Sequence, residues 1–89
     1  MTWKIEFSDR ASQDLDKLDA QHVRRINQFL FGRLMKLENP RSVGEALRGS
    51  QLGEYWKYRV GDYRLICKIE DDRLLVLVLC IGHRREIYR

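Results

Sequence analysis

Lys57, Arg59 and Arg64 flank the dipeptide Gly61-Asp62, and a two-residue hairpin loop there turns this spacing into a cluster. With Gly61-Asp62 as the loop, Val60 faces Tyr63, Arg59 faces Arg64 and Lys57 faces Ile66. Residues two apart on a strand share a face. Lys57, Arg59 and Arg64 therefore gather on one side of a sheet, with Lys68 further along it. Like charges directly opposed across strands destabilise the pairing, so stability alone gives no reason to keep Arg59 against Arg64. A phosphate between them reverses the sign of the interaction, because guanidinium groups match its oxygens bidentately. The bland alternative is a set of solvated surface cations, paired with Glu54 or Asp62. Trp56 and Tyr58 fall on the opposite face and read as core, not as platforms for stacked bases.

A second basic group closes the chain, in the run Gly82-His83-Arg84-Arg85-Glu86-Ile87-Tyr88-Arg89. Such an end can be merely solvated, yet it leaves a strand beside Arg64. His83 is an attractive general base by its ordinary pKa, and equally a polar residue at a strand terminus. Strict alternation puts His83 and Arg85 on the Arg64 face and Arg84 on the other. Leu75, Leu77 and Leu79 share that face too, as apolar surface beside a basic cluster.

These groups need a sheet to position them. Residues 2–7 alternate, with Trp3, Ile5 and Phe7 on one side, as a half-buried strand does. Ser8 or Asp9 can cap a helix in which Ala11, Leu15 and Leu18 recur on one face. Asp19 can cap a second, longer helix whose stripe of Val23, Ile26, Leu30, Leu34 and Leu37 runs up to Pro40, the only proline. Residues 41–53 read as a loop or short helical turn. Then Tyr55–Val60, 63–69 and 73–81 read as three strands, with Gly61-Asp62 and Asp71-Asp72 as tight turns. The last of these is apolar on both faces and so belongs in the middle of the sheet. Its free side takes the N-terminal strand. The expected fold is α+β, in the order β-α-α-β-β-β. It is a four-stranded, mostly antiparallel sheet with a helical hairpin on one face, forming one domain over residues 1–89.

Composition narrows the class. A chain of 89 residues supports one core. Its 44% hydrophobic and 34% charged residues describe a folded, soluble protein. The longest apolar run, 74–81, is too short to cross a bilayer, and Met1-Thr2-Trp3-Lys4 does not open a signal peptide. A cytoplasmic location without membrane attachment is expected. Cys67 and Cys80 lie in apolar strands with no ligand spacing around them, so they read as buried free thiols and no metal site is expected. The net charge of +4 favours a polyanionic partner without identifying one.

Leu47-Arg48-Gly49, then Tyr55-Trp56-Lys57-Tyr58-Arg59-Val60-Gly61-Asp62-Tyr63-Arg64-Leu65, and finally Gly82-His83-Arg84-Arg85 closing on Tyr88, resemble the RelE family of toxins. These belong to bacterial and archaeal toxin–antitoxin pairs, and the element order is similar over the whole chain. The resemblance implies a ribosome-dependent endoribonuclease, an mRNA interferase that cuts mRNA in the ribosomal A site and inhibits translation without metal or other cofactor. It implies a cognate antitoxin, whose complex with the toxin binds operator DNA, and the ribosome with its mRNA as target.

By position, the resemblance carries catalytic roles to Lys57, Arg59, Arg64, Arg84 and Tyr88; Lys68, His83 and Arg85 complete the expected RNA-binding set. Tyr55 stands where some members have a further lysine, and some relatives continue into a last helix. Because Arg84 starts on the wrong face, the resemblance also requires a twist or bulge near Gly82. The chemistry suits these residue types. RNA carries its own nucleophile, the 2′-hydroxyl, so the protein must move protons and stabilise a dianionic phosphorane. An ordinary tyrosine ionises near pH ~10, and neighbouring arginines favour its phenolate. Two other readings stay open: a ParE-like toxin on the same fold that acts on DNA gyrase, and a nucleic-acid-binding module without catalysis.

Overall fold

Ser8 ends the first strand and starts the first helix, and much of the architecture follows from that junction. In the computed structural model, which describes residues 2–49 and 54–84, strand β1 (Lys4–Phe7) leads through Ser8 into helix α1 (Asp9–Asp16). The Ser8 side chain accepts the Ala11 N–H and caps the helix. Helix α2 (Ala20–Gly32) runs back, and four more strands follow: β2 (Glu45–Ala46), β3 (Tyr55–Val60), β4 (Tyr63–Glu70) and β5 (Leu75–His83). The sheet order is β1-β5-β4-β3-β2, with β1 parallel to β5 and every other pairing antiparallel. The fold is the expected α+β arrangement, with β5 in the interior of the sheet and β1 beside it.

Both helices lay their apolar sides on one face. Ala11, Ile26 and Leu30 meet Tyr58, Leu65, Cys67, Ile69, Val76, Val78 and Ile81 in a single buried cluster. Tyr58 is core, as its position in the alternation implied. Its hydroxyl donates to the Pro40 carbonyl at 2.7 Å, and burial pushes its pKa up, which keeps the proton on the donor. The Trp56 indole donates to the Val43 carbonyl at 2.7 Å. Cys67 and Cys80 are free, the first fully buried and the second partly so, and burial raises both thiol pKa values.

The structure departs from the sequence expectation in three places. Helix α2 ends at Gly32, well before Pro40, because a glycine weakens a helix interior by about 1 kcal/mol. A 3₁₀ turn at Leu34–Lys36 then keeps Leu34 in the core. The expected Asp71-Asp72 hairpin turn is instead a 3₁₀ turn at Asp71–Arg73, completed by Leu74 with φ 48°. It is clamped by Arg41, whose guanidinium donates to both Asp71 carboxylate oxygens at 2.8 and 3.0 Å. Finally, the sheet has five strands, not four. Glu45–Ala46 adds an edge too short to carry any alternation, paired through Glu45↔Lys57 and Ala46↔Trp56.

That edge depends on Gly44. Its φ is +76°, and a Cβ there would lie 2.5 Å from the Lys57 carbonyl oxygen and 2.8 Å from the Tyr58 ring. Gly44→Ala combines left-handed strain with a backbone clash. It is expected to lower unfolding free energy by roughly 3 kcal/mol in urea denaturation. A loss below about 1 kcal/mol would show that this approach is not required.

Candidate functional site

The register across the Gly61-Asp62 turn is the one its residue types predict, with Arg59↔Arg64, Lys57↔Ile66 and Val60↔Tyr63 in register. Gly61 supplies the turn with φ +60°. Two like charges are therefore opposed on the sheet face that the helices leave uncovered. The four basic residues of this hairpin differ in their partners. Lys57 lies 3.8 Å from Glu45, and Lys68 lies 3.5 Å from Glu54. Arg59 is exposed and has no carboxylate within ion-pair distance among the described residues. Arg64 turns back over the hairpin, where its guanidinium donates to the carbonyls of Gly61 at 3.3 Å and Tyr63 at 3.2 Å. Those bonds orient the guanidinium without neutralising it. Lys68 shares the face but stands roughly 13 Å along the strand from Arg64, given about 3.3 Å per residue.

The C-terminal group is brought in by an irregularity in β5. Ile66 pairs with Cys80 while Cys67 pairs with Val78, so Leu79 is an extra residue, a β-bulge. Leu75 and Leu77 keep the Arg64 face, although Leu75 is buried and not the exposed apolar surface expected of it, and beyond Leu79 the phase inverts. Gly82 pairs with Arg64 and His83 with Tyr63. His83 therefore does not lie on the Arg64 face, as strict alternation implied. It sits on the helix side, with its ring centroid 5.8 Å from that of Tyr63, which in turn lies 4.9 Å from His22. Arg84 follows the end of β5 as an exposed residue, and its N–H donates to the Asp62 carbonyl at 2.9 Å.

What pins the bulge is the junction that opened the fold. The Ser8 hydroxyl donates to the Leu79 carbonyl at 2.7 Å, and the Ile81 N–H donates to the Asp14 carboxylate at 2.9 Å. Helix α1 thus closes the edge of β5 past the end of β1. Arg85 and Tyr88 lie outside the described residues.

The basic face opens beside β3 into a cleft of about 570 Å³, lined by Phe29, Arg33, Gly44 and Glu45 together with Lys57, Arg59 and Arg64. Arg33 was hidden from sequence reasoning by the assumption that α2 continues to Pro40. Gly32 was the signal that could have found it.

A set of guanidinium and ammonium groups that outnumbers its carboxylates among the described residues can hold a phosphodiester and stabilise added negative charge. A family model described as the ParE toxin of type II toxin–antitoxin systems (parDE) matches residues 5–88. The chain belongs to the RelE/ParE toxin family. It is 35% identical to the toxin RelG of Mycobacterium tuberculosis (strain ATCC 25618 / H37Rv), over 100% of this chain and 99% of the relative. It is 30% identical to the mRNA interferase toxin RelE of Escherichia coli (strain K12), over 99% of this chain and 92% of that one. Among solved structures, it is similar to a chain of the toxin–antitoxin complex RelBE2 from Mycobacterium tuberculosis. The TM-score is 0.80 at 32% identity, covering 94% of this chain and 100% of the other. Within a RelE/ParE toxin, Lys57, Arg59, Arg64 and Arg84 are the positions that the sequence resemblance singled out. The hairpin brings Lys57, Arg59 and Arg64 to one face.

Proposed function

We propose that this chain is a ribosome-dependent endoribonuclease that cleaves mRNA in the ribosomal A site and thereby stops translation. The observation that carries this reading is Arg59 opposed to Arg64, with neither paired to a carboxylate among the described residues. An anion makes that arrangement favourable. The 2′-hydroxyl attacks the adjacent phosphorus, the bond to the 5′-oxygen breaks, and the products are a 2′,3′-cyclic phosphate and a 5′-hydroxyl. Lys57, Arg59 and Arg64 stabilise the dianionic phosphorane. Tyr88 takes or orients the 2′-hydroxyl proton, and Arg84 binds the scissile phosphate or assists the leaving oxygen. Support comes from the likeness to a relative named mRNA interferase toxin RelE. Ribosomes programmed with a defined mRNA test it directly: cleavage within the A-site codon, dependent on the ribosome, is expected. Intact mRNA under these conditions rejects the proposal.

The second reading rests on the ParE description of the matching family model. A ParE-like toxin poisons DNA gyrase and needs none of the catalytic set. Inducing the protein separates the two, since translation stops first under one and DNA replication under the other.

A cognate antitoxin is part of the same proposal. The outer face carries Ile66 and Leu77 outside the core beneath the helices, beside the basic cluster. A segment with acidic and apolar side chains complements it. Binding is expected to slow hydrogen exchange across residues 73–84. Unchanged exchange there would place the antitoxin elsewhere.

A further inference from the structure

The cleft beside the arginine pair is wider than one phosphate requires, and its far wall belongs to a helix end that the proposed chemistry does not use. Arg33 follows Gly32, where the chain leaves helical geometry with φ −129° and ψ −60°, while its N–H still donates to the Phe29 carbonyl at 3.2 Å. Its side chain lines the same cleft as Lys57, Arg59 and Arg64. Arg33 is exposed and, among the described residues, has no ion pair or side-chain hydrogen bond. Among the described residues Glu45 is the one carboxylate that lines the cleft, and it lies 3.8 Å from Lys57. Phe29 and Val43 add apolar lining to the same cleft. A volume of about 570 Å³ falls within the range of roughly 300–1,000 Å³ typical of pockets for small ligands.

We propose that Arg33 binds the phosphate of a nucleotide flanking the scissile bond, so that the cleft grips the substrate RNA at a second point with the intervening sugar or base against Phe29 and Val43. The inference rests on the endonuclease reading above and adds a positioning contact to it. Phosphate contacts of this kind set register and affinity without taking part in bond breaking. Arg33 therefore acts on binding, and Arg64 on rate.

Single-turnover cleavage on programmed ribosomes, at varied toxin concentration and salt, tests it with Arg33→Gln. The half-saturating concentration is expected to rise about tenfold, with the saturated rate within about twofold of wild type. The slope of log affinity against log salt is expected to shrink by about 0.7, the loss of one contact to single-stranded RNA. Arg33→Lys should restore most of the slope. An mRNA with a neutral methylphosphonate at one flanking linkage identifies the phosphate. At the correct linkage it weakens the wild type but not Arg33→Gln. Effects that multiply at both flanking linkages would mean that Arg33 touches ribosomal RNA and would overturn the proposal, as would wild-type behaviour of Arg33→Gln. If the wild type itself leaves the mRNA intact, the endonuclease reading fails and this one falls with it.

Discussion

Arg64→Ala is expected to leave a folded protein whose cleavage of ribosome-bound mRNA is slower by about 100- to 1,000-fold, the usual effect of removing one preorganised donor to a developing oxyanion. Stability should hold or rise. The substitution removes a like-charge opposition to Arg59, whose relief is worth at most about 1 kcal/mol. It also removes bonds to the Gly61 and Tyr63 carbonyls at 3.3 and 3.2 Å, the first exposed and the second partly buried. For a domain of this size, that bound corresponds to a change in Tm of no more than about 4–8 °C. Paired thermal melts and single-turnover assays decide the matter. A fall in Tm well beyond that bound would make Arg64 a structural residue and remove the central argument for an anion site.

Tyr88→Phe separates catalysis from binding. The change deletes one hydroxyl close to the chain end and should leave the fold undisturbed. If that hydroxyl takes or orients the 2′-hydroxyl proton, the saturated cleavage rate falls by about 100-fold or more. Affinity for the ribosome should change little, because the proposed function assigns it to the cations of the hairpin and cleft. His83→Ala is the control for the rival base. The bulge turns His83 towards Tyr63 and away from the Arg64 face, so this variant is expected to keep substantial activity. Wild-type rates for Tyr88→Phe together with a dead His83→Ala would reverse the assignment.

The contrast between those two side chains shows where sequence reasoning succeeds. The hairpin was legible because a Gly-Asp loop admits one tight register, and that register alone brings Arg59 against Arg64. The helical hairpin was legible from the stripe of Ala11, Leu15, Leu18, Ile26 and Leu30. The strand beside β5 was reached by elimination, and it is β1. His83 was assigned to the wrong face by alternation, because the strand carries a bulge at Leu79, earlier than the twist near Gly82 that the resemblance required. A bulge leaves no mark in the hydrophobic pattern when its neighbours, Val78 and Cys80, are apolar as well.

From the sequence by itself come the α+β class, the core face of the hairpin strand that carries Trp56 and Tyr58, the opposed arginines and the family. The first three depend on contacts between near neighbours or on the periods of strand and helix, which a linear reading captures, and the family on a resemblance of motifs. Only the tertiary structure decided which face His83 occupies, that Glu45–Ala46 joins the sheet, and that Arg33 shares a cleft with the hairpin cations. Each of these depends on groups far apart in the chain. The Ser8 hydroxyl and the Asp14 carboxylate bond to the backbone at Leu79 and Ile81. Gly44 admits the close approach of the edge strand to Lys57 and Tyr58. The end of α2 at Gly32 sets where Arg33 leaves the helix. Backbone hydrogen bonds must be satisfied wherever the strand edge is left open, and which side chain satisfies them is decided by packing in three dimensions.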